Sequence, residues 1–278
     1  MLNNPMLRID AIIFIGIAFV FGILEGVYAH FHTFWPEGSP NCYAKRGQEI
    51  TFKYFWGHPY EYIIFDSLKP NFYVVKPDGS KSEVKLKKIQ MRDKETDKVR
   101  TAYEVKYKPT ALGDFYLCLE APPIFVEEEE LFWRDYVKQP IHVMAEKGWD
   151  RPVGLPLEMV PLTRPYGIEE GFVFKGQALY KGKPLANAHV EIEKFNGFYV
   201  EGENLPVDQF GNEDVPMITR AAKTDANGYV VYTLDEPGWW MISVAHESDE
   251  MMEHNGEKYP IEMRGGLWVH LEEKFIQK

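Results

Sequence analysis

The residues best suited to chemistry lie near the start of the chain. His30 and His32 stand in Ala29-His30-Phe31-His32; His58 and Glu61 stand in Trp56-Gly57-His58-Pro59-Tyr60-Glu61. What the first pair can do depends on the residues before them. Arg8, the apolar run 11–24, and Val27 and Ala29 at the −3 and −1 places match a secretory signal peptide over 1–29. The run is shorter than the roughly 20 apolar residues of a comfortable membrane span. Cleavage after Ala29 is the expectation; an uncleaved leader would anchor the chain in the membrane. Cleavage makes His30 the first residue, with an α-amine whose reference pKa is about 8. A metal ion displaces that proton at neutral pH.

Two chelates follow. In one, the amine, the amide nitrogens of Phe31 and His32, and the His32 ring form a square plane, the geometry of Ni(II) and Cu(II). Neither residue is proline, so both amides can deprotonate. In the other, the amine and ring of His30 chelate together, and His32 or another histidine completes the set. The plainer alternative is two exposed histidines on a frayed end.

His58 lies between Gly57 and Pro59 in a turn that can project its ring rigidly. Glu61 is a candidate ligand or a partner that orients a ring. The competing reading of His58 is a turn histidine packed on Trp56. His142 and His246 sit inside strand patterns and read as structural. The acidic run Glu127–Glu130 reads as a solvated loop, because calcium loops interleave Asp, Asn and Gly. Trp239 and Trp240 read as core. Cys42 and Cys118 are the only cysteines. In an exported chain they form a bridge or remain two buried thiols, and the sequence leaves both open.

The elements that must position these residues are strands. Residues 49–57 alternate Ile50, Phe52, Tyr54 and Trp56, the pattern of a half-buried strand. Residues 71–89 read as a hairpin about Pro77-Asp78-Gly79, 101–121 as two strands about Gly113, and 140–146 as another. Residues 150–167 carry four prolines and read as a crossover in which Leu157, Met159 and Pro161 can pack as an edge strand. Beyond it come a strand–turn–strand about Lys181-Gly182-Lys183-Pro184, a turn at Asp225-Ala226-Asn227-Gly228, and a strand after Pro237-Gly238. The expectation is an all-β chain of two tandem β-sandwich domains after an N-terminal signal helix. The first, at 30–165, is immunoglobulin-like and metal-binding; the second is at 166–278.

Two resemblances bear on this. KGKPLANAHVEIEKFNG with TDANGYVVYTLDEPGWWMISV resembles the transthyretin-like or collagen-adhesin-type module, a spacer in many exported proteins. AHFHTFWP, WGHPYEYIIFD (56–66) and IHV…GWDRPVGLPLEMVPL (141–162) are similar to the extracytoplasmic nickel-uptake accessory family. That family works beside nickel or cobalt transporters of the energy-coupling type. The resemblance implies metal binding or delivery outside the cytoplasm, with a membrane nickel/cobalt transporter as partner, and no catalytic reaction.

The net charge of −11 argues against nucleic acid or an anionic membrane surface as partner. No Gly-rich phosphate loop or Gly-x-Ser-x-Gly elbow occurs, and no spacing marks a nucleophile. The expected role is an exported, non-enzymatic binding protein for Ni(II) or Co(II), with Cu(II) binding as the first alternative and a metal-free structural or adhesive role as the second.

Overall fold

The computed structural model describes residues 30–37, 41–197, 200–212 and 215–274. The leader expected over 1–29 lies outside them. The fold is all-β, as expected. Its helical pieces among the described residues are one 3-10 turn at Gly202–Asn204 and four residues at Val215–Ile218. None is long and apolar enough to cross a membrane.

Three sheets are stacked. The first contains β1 (Phe31–Pro36), β2 (Ile50–His58) and β3 (Ile63–Phe65), continued by Val99–Tyr107 and Leu86–Arg92. The second is a ten-stranded sheet whose central members are Gly238–His254, Glu257–Glu272, Leu131–Val143 and Gly113–Glu120. The third, of four strands, holds Leu157–Pro161 against Val173–Tyr180.

The middle sheet buries both faces. Along one strand Phe115, Leu117 and Leu119 join a core shared with the first sheet, while Tyr116 and Cys118 join a core shared with the third. Trp239 and Trp240 divide the same way, so both tryptophans are core residues on opposite faces. A sheet apolar on both faces needs continuous apolar runs rather than alternation, and GWWMISV and DFYLCLE are such runs.

Leu131–Val143 pairs in parallel with Glu257–Glu272, from Phe132 opposite Ile261 to Lys138 opposite Leu267. The expected division at residue 165 therefore meets one hydrogen-bonded sheet that runs through both halves. The proline-rich crossover supplies Leu157–Pro161, buried at every position. Cys42 and Cys118 are both buried, unbridged thiols, and burial pushes the Cys118 thiol up to about 12.

Leu131–Val143 is the strand the sequence hides. Only 140–146 reads as strand, because Arg134, Asp135, Lys138 and Pro140 interrupt the apolar pattern. The structure pairs the buried charges. Lys138 Nζ donates to Glu158 Oε2 at 2.9 Å, and both side chains are buried. The amides of Val153 and Gly154 donate to the same Glu158 carboxylate, which ties the crossover to the middle sheet.

Candidate metal site

The site begins with strand register. β1 and β2 are antiparallel, with Phe31 opposite Gly57 and His32 opposite Trp56. One further step sets His30 opposite His58. Because side chains alternate along a strand, His30, His32, Tyr54, Trp56 and His58 share one face. The turn after His58 folds β3 back so that Trp56 faces Phe65 and His58 faces Ile63. Gly57 permits this: a Cβ there would lie 1.9 Å from the Ile63 carbonyl oxygen. From the middle sheet, Trp133, Asp135 and Arg264 cover the same face.

The result is a small aromatic chamber around His30. Its ring lies 4.6 Å from that of His58, nearly edge-on, and 5.5, 5.3 and 5.2 Å from Trp56, Phe65 and Trp133. His30 is half-buried, so it stands at the mouth, and His58 is buried beneath it. Burial pushes the His58 pKa down to about 4, against the opposing charge of Asp93. His58 is therefore a neutral imidazole at physiological pH, the form that ligates metals.

His32 has a different fate. It is 2% exposed, and both ring nitrogens have partners: Nε2 faces Asp135 Oδ2 at 3.0 Å, and Nδ1 meets the Tyr54 hydroxyl at 2.8 Å. Asp135 is itself held by Arg264, whose Nε and a terminal nitrogen donate to its two oxygens at 2.7 and 2.5 Å. Burial works against ionising Asp135, but the Arg264 charge and the His32 contact outweigh it and hold the carboxyl well below the usual range. Trp268 Nε1–H donates to the His32 carbonyl at 3.0 Å, and β1 continues in extended pairing. This placement is at odds with the square-planar chelate: wrapping the Phe31 and His32 amides around an ion would break the strand and the His32–Asp135 contact together. The frayed-end alternative fails on the same geometry, since residues 31–34 are buried.

Glu61 is buried at the hairpin end, where its charge reaches the buried Glu193. Burial first, and Glu61 second, push the Glu193 carboxyl well above its usual range. Glu193 accepts the Tyr60 amide at 3.2 Å and the Thr219 hydroxyl at 2.6 Å. The remaining sequence candidates resolve simply. His142 Nδ1 lies 2.7 Å from the buried Asp114, which also accepts the Tyr166 hydroxyl and the Lys147 amide, so His142 is a structural histidine. His246 packs on Tyr180, and Glu127–Glu130 form an exposed turn.

Metal–nitrogen bonds of about 2.0–2.1 Å set the imidazoles on one ion at roughly 4.5 Å between centroids when cis and about 6.3 Å when trans. The His30–His58 pair falls at the lower end of that range. Among the described residues no three His, Cys, Asp or Glu side chains converge as a ligand set. Two imidazoles therefore need a donor of another kind, and the cleavage after Ala29 expected from the sequence would supply one as the His30 α-amine.

Sequence reasoning missed Tyr54, Trp133, Asp135 and Arg264. The available signal was charge inside a strand-like run, in LFWRDYVKQPIHV and IEMRGGLWVH. Clefts elsewhere measure about 430 Å³ beside Cys42 and Ile50 and about 510 Å³ beside Trp35, Trp239 and His270.

Comparison with known families gives a match over residues 28–248 to the one described as Domain of unknown function (DUF4198). No curated protein matches the chain. Among solved structures, a Salmonella alpha-2-macroglobulin mutant aligns at 10% identity, TM-score 0.26, over 87% of this chain and 15% of its own. Fibronectin(III)-like modules of Clostridium thermocellum CbhA align at 9% identity, TM-score 0.24, over 89% and 99%. A DUF4785 family protein from Legionella pneumophila aligns at 10%, TM-score 0.28, over 78% and 51%. This chain thus spans a small fraction of the macroglobulin, and likeness at these scores carries no argument.

Proposed function

The chain belongs to the DUF4198 family, and from its N-terminal chamber we propose that it is an exported, non-enzymatic binding protein for one divalent transition metal, nickel or cobalt, supporting metal uptake. The edge-on contact of His30 with His58 carries the reading. The ligands are the His30 amine, the His30 ring and the His58 ring. Asp135, His32 and Tyr54 hold the strand that presents them. Glu61, beside Glu193, is a supporting residue at the hairpin end rather than a member of this nitrogen set. The similarity of AHFHTFWP and WGHPYEYIIFD to the nickel-uptake accessory family supports delivery to a membrane transporter from outside the cytoplasm.

A copper-binding role is the second reading, and the ligand set itself favours it. Nitrogen donors bind Cu(II) more tightly than Ni(II), and tetragonal geometry suits both. Metal content after purification from the native host separates the two.

The test of the site is calorimetric titration of Ni(II) into protein beginning at His30 and into protein with one added N-terminal glycine. The proposal expects one tight ion in the first and loss of tight binding in the second. Equal affinity in both removes the amine from the site.

A further inference from the structure

The chamber contains two hydrogen-bond donors that the metal reading does not use. Trp56 Nε1 and Trp133 Nε1 are buried, and neither meets an acceptor among the described residues. Both indoles pack against the His30 ring, at 5.5 and 5.2 Å between centroids. Buried N–H groups are rarely left unpaired, because the loss of water is uncompensated. Two on the rings that flank one candidate ligand point to an acceptor that the chain itself does not supply.

Charge leads to the same place. Two imidazoles and an amine are all neutral ligands, so a bound dication brings its full charge into a largely aromatic chamber. Burying unneutralised charge is costly. Two of the carboxylates around the chamber are already committed. Asp135 is paired with Arg264 and His32. Asp93 accepts the amides of Ile64 and Thr96 and the Thr96 hydroxyl. Arg264 lies over the Trp133 ring, 4.1 Å from its centroid, and adds positive potential on that side.

We propose that the chamber takes its metal together with one small monoanion, of the class of hydroxide, halide or azide, which binds the ion and accepts the indole N–H groups of Trp56 and Trp133. This rests on the metal reading above and adds what accompanies the ion. A monoanion halves the net charge of the bound unit and satisfies both donors.

Azide is the probe. Protein beginning at His30 is first loaded with Cu(II) in perchlorate buffer, where no strong co-ligand competes; azide is then titrated and its charge-transfer band followed. The expected result is saturable azide binding to the loaded protein, weakened about ten-fold or more in Trp56→Phe and in Trp133→Phe, since hydrogen bonds to charged groups exceed neutral ones. Circular dichroism of each variant establishes folding. Should a variant fail to fold, the 15N-labelled wild type loaded with Zn(II) gives the second readout: both indole N–H resonances move downfield on azide addition. Loaded protein that ignores azide, azide affinity indifferent to both variants, or indole resonances that stay put overturn the anion alone. Failure to bind metal in perchlorate and in azide buffer overturns the metal reading, and the anion with it.

Discussion

Replacing Asp135 with alanine removes one carboxylate from a buried set of three and leaves Arg264 charged at 6% exposure. The two hydrogen bonds from Arg264, at 2.7 and 2.5 Å, are lost, and so is the 3.0 Å contact with His32 Nε2. Breaking a buried pair by removing one partner costs about 3–5 kcal/mol, because the remaining charge is desolvated without compensation. For a chain of this size each kcal/mol moves the melting temperature by about 2–4 °C. The expected fall is therefore about 6–20 °C, read by circular dichroism on a reversible melt. Removing both partners, as Asp135→Leu with Arg264→Met, leaves no orphan charge and recovers most of the loss. A single variant that melts within about 2 °C of wild type, or a double variant no better than the single, refutes the claim that this network holds the chamber wall.

Three further outcomes follow from the same geometry. His32→Phe keeps metal affinity within a few-fold while lowering stability, whereas His58→Ala loses tight binding; equal losses in both would return His32 to the ligand set. Gly57→Ala drives a Cβ onto the Ile63 carbonyl, 1.9 Å away before relaxation, so β3 separates from β2 and Trp56 fluorescence shifts to the red. Glu262 is pushed up to about 7, first by burial and then by Glu129, Glu191 and Asp135, with Arg264 opposing. A raised carboxylate pKa contributes stability that is full below about 4.5 and is lost as pH rises through 7. Glu262→Gln should therefore gain about 1–3 kcal/mol over wild type at pH 8 and little at pH 4, by denaturant melts at the two values.

Much of the fold was legible because its strands follow simple patterns. Ile50, Phe52 and Tyr54 alternate, and the strand runs Ile50–His58. Pro77-Asp78-Gly79 marks a real hairpin turn, with Val75 pairing Lys81. The middle layer was not legible. Its parallel pairing of Leu131–Val143 with Glu257–Glu272 joins segments more than a hundred residues apart, and pairing over such distances leaves no local signature. The charges that hide Leu131–Val143 are met by residues remote in sequence: Arg134 by Glu250, Asp135 by Arg264 and His32, and Lys138 by Glu158. Of the site, the residue types were legible and the partnership was not. Sequence gave His30 and His32 similar standing as metal ligands, while strand alternation and a buried carboxylate separate them. Asp135 captures the His32 ring, and the register brings His30 to His58.

In the proposed site two imidazoles, His30 and His58, share one ion. X-ray absorption at the nickel edge of loaded protein beginning at His30 counts imidazole rings through their multiple-scattering signature. The expected spectrum contains two rings and falls to one in His58→Ala. A single ring in the wild type, or a spectrum unchanged by His58→Ala, contradicts the account.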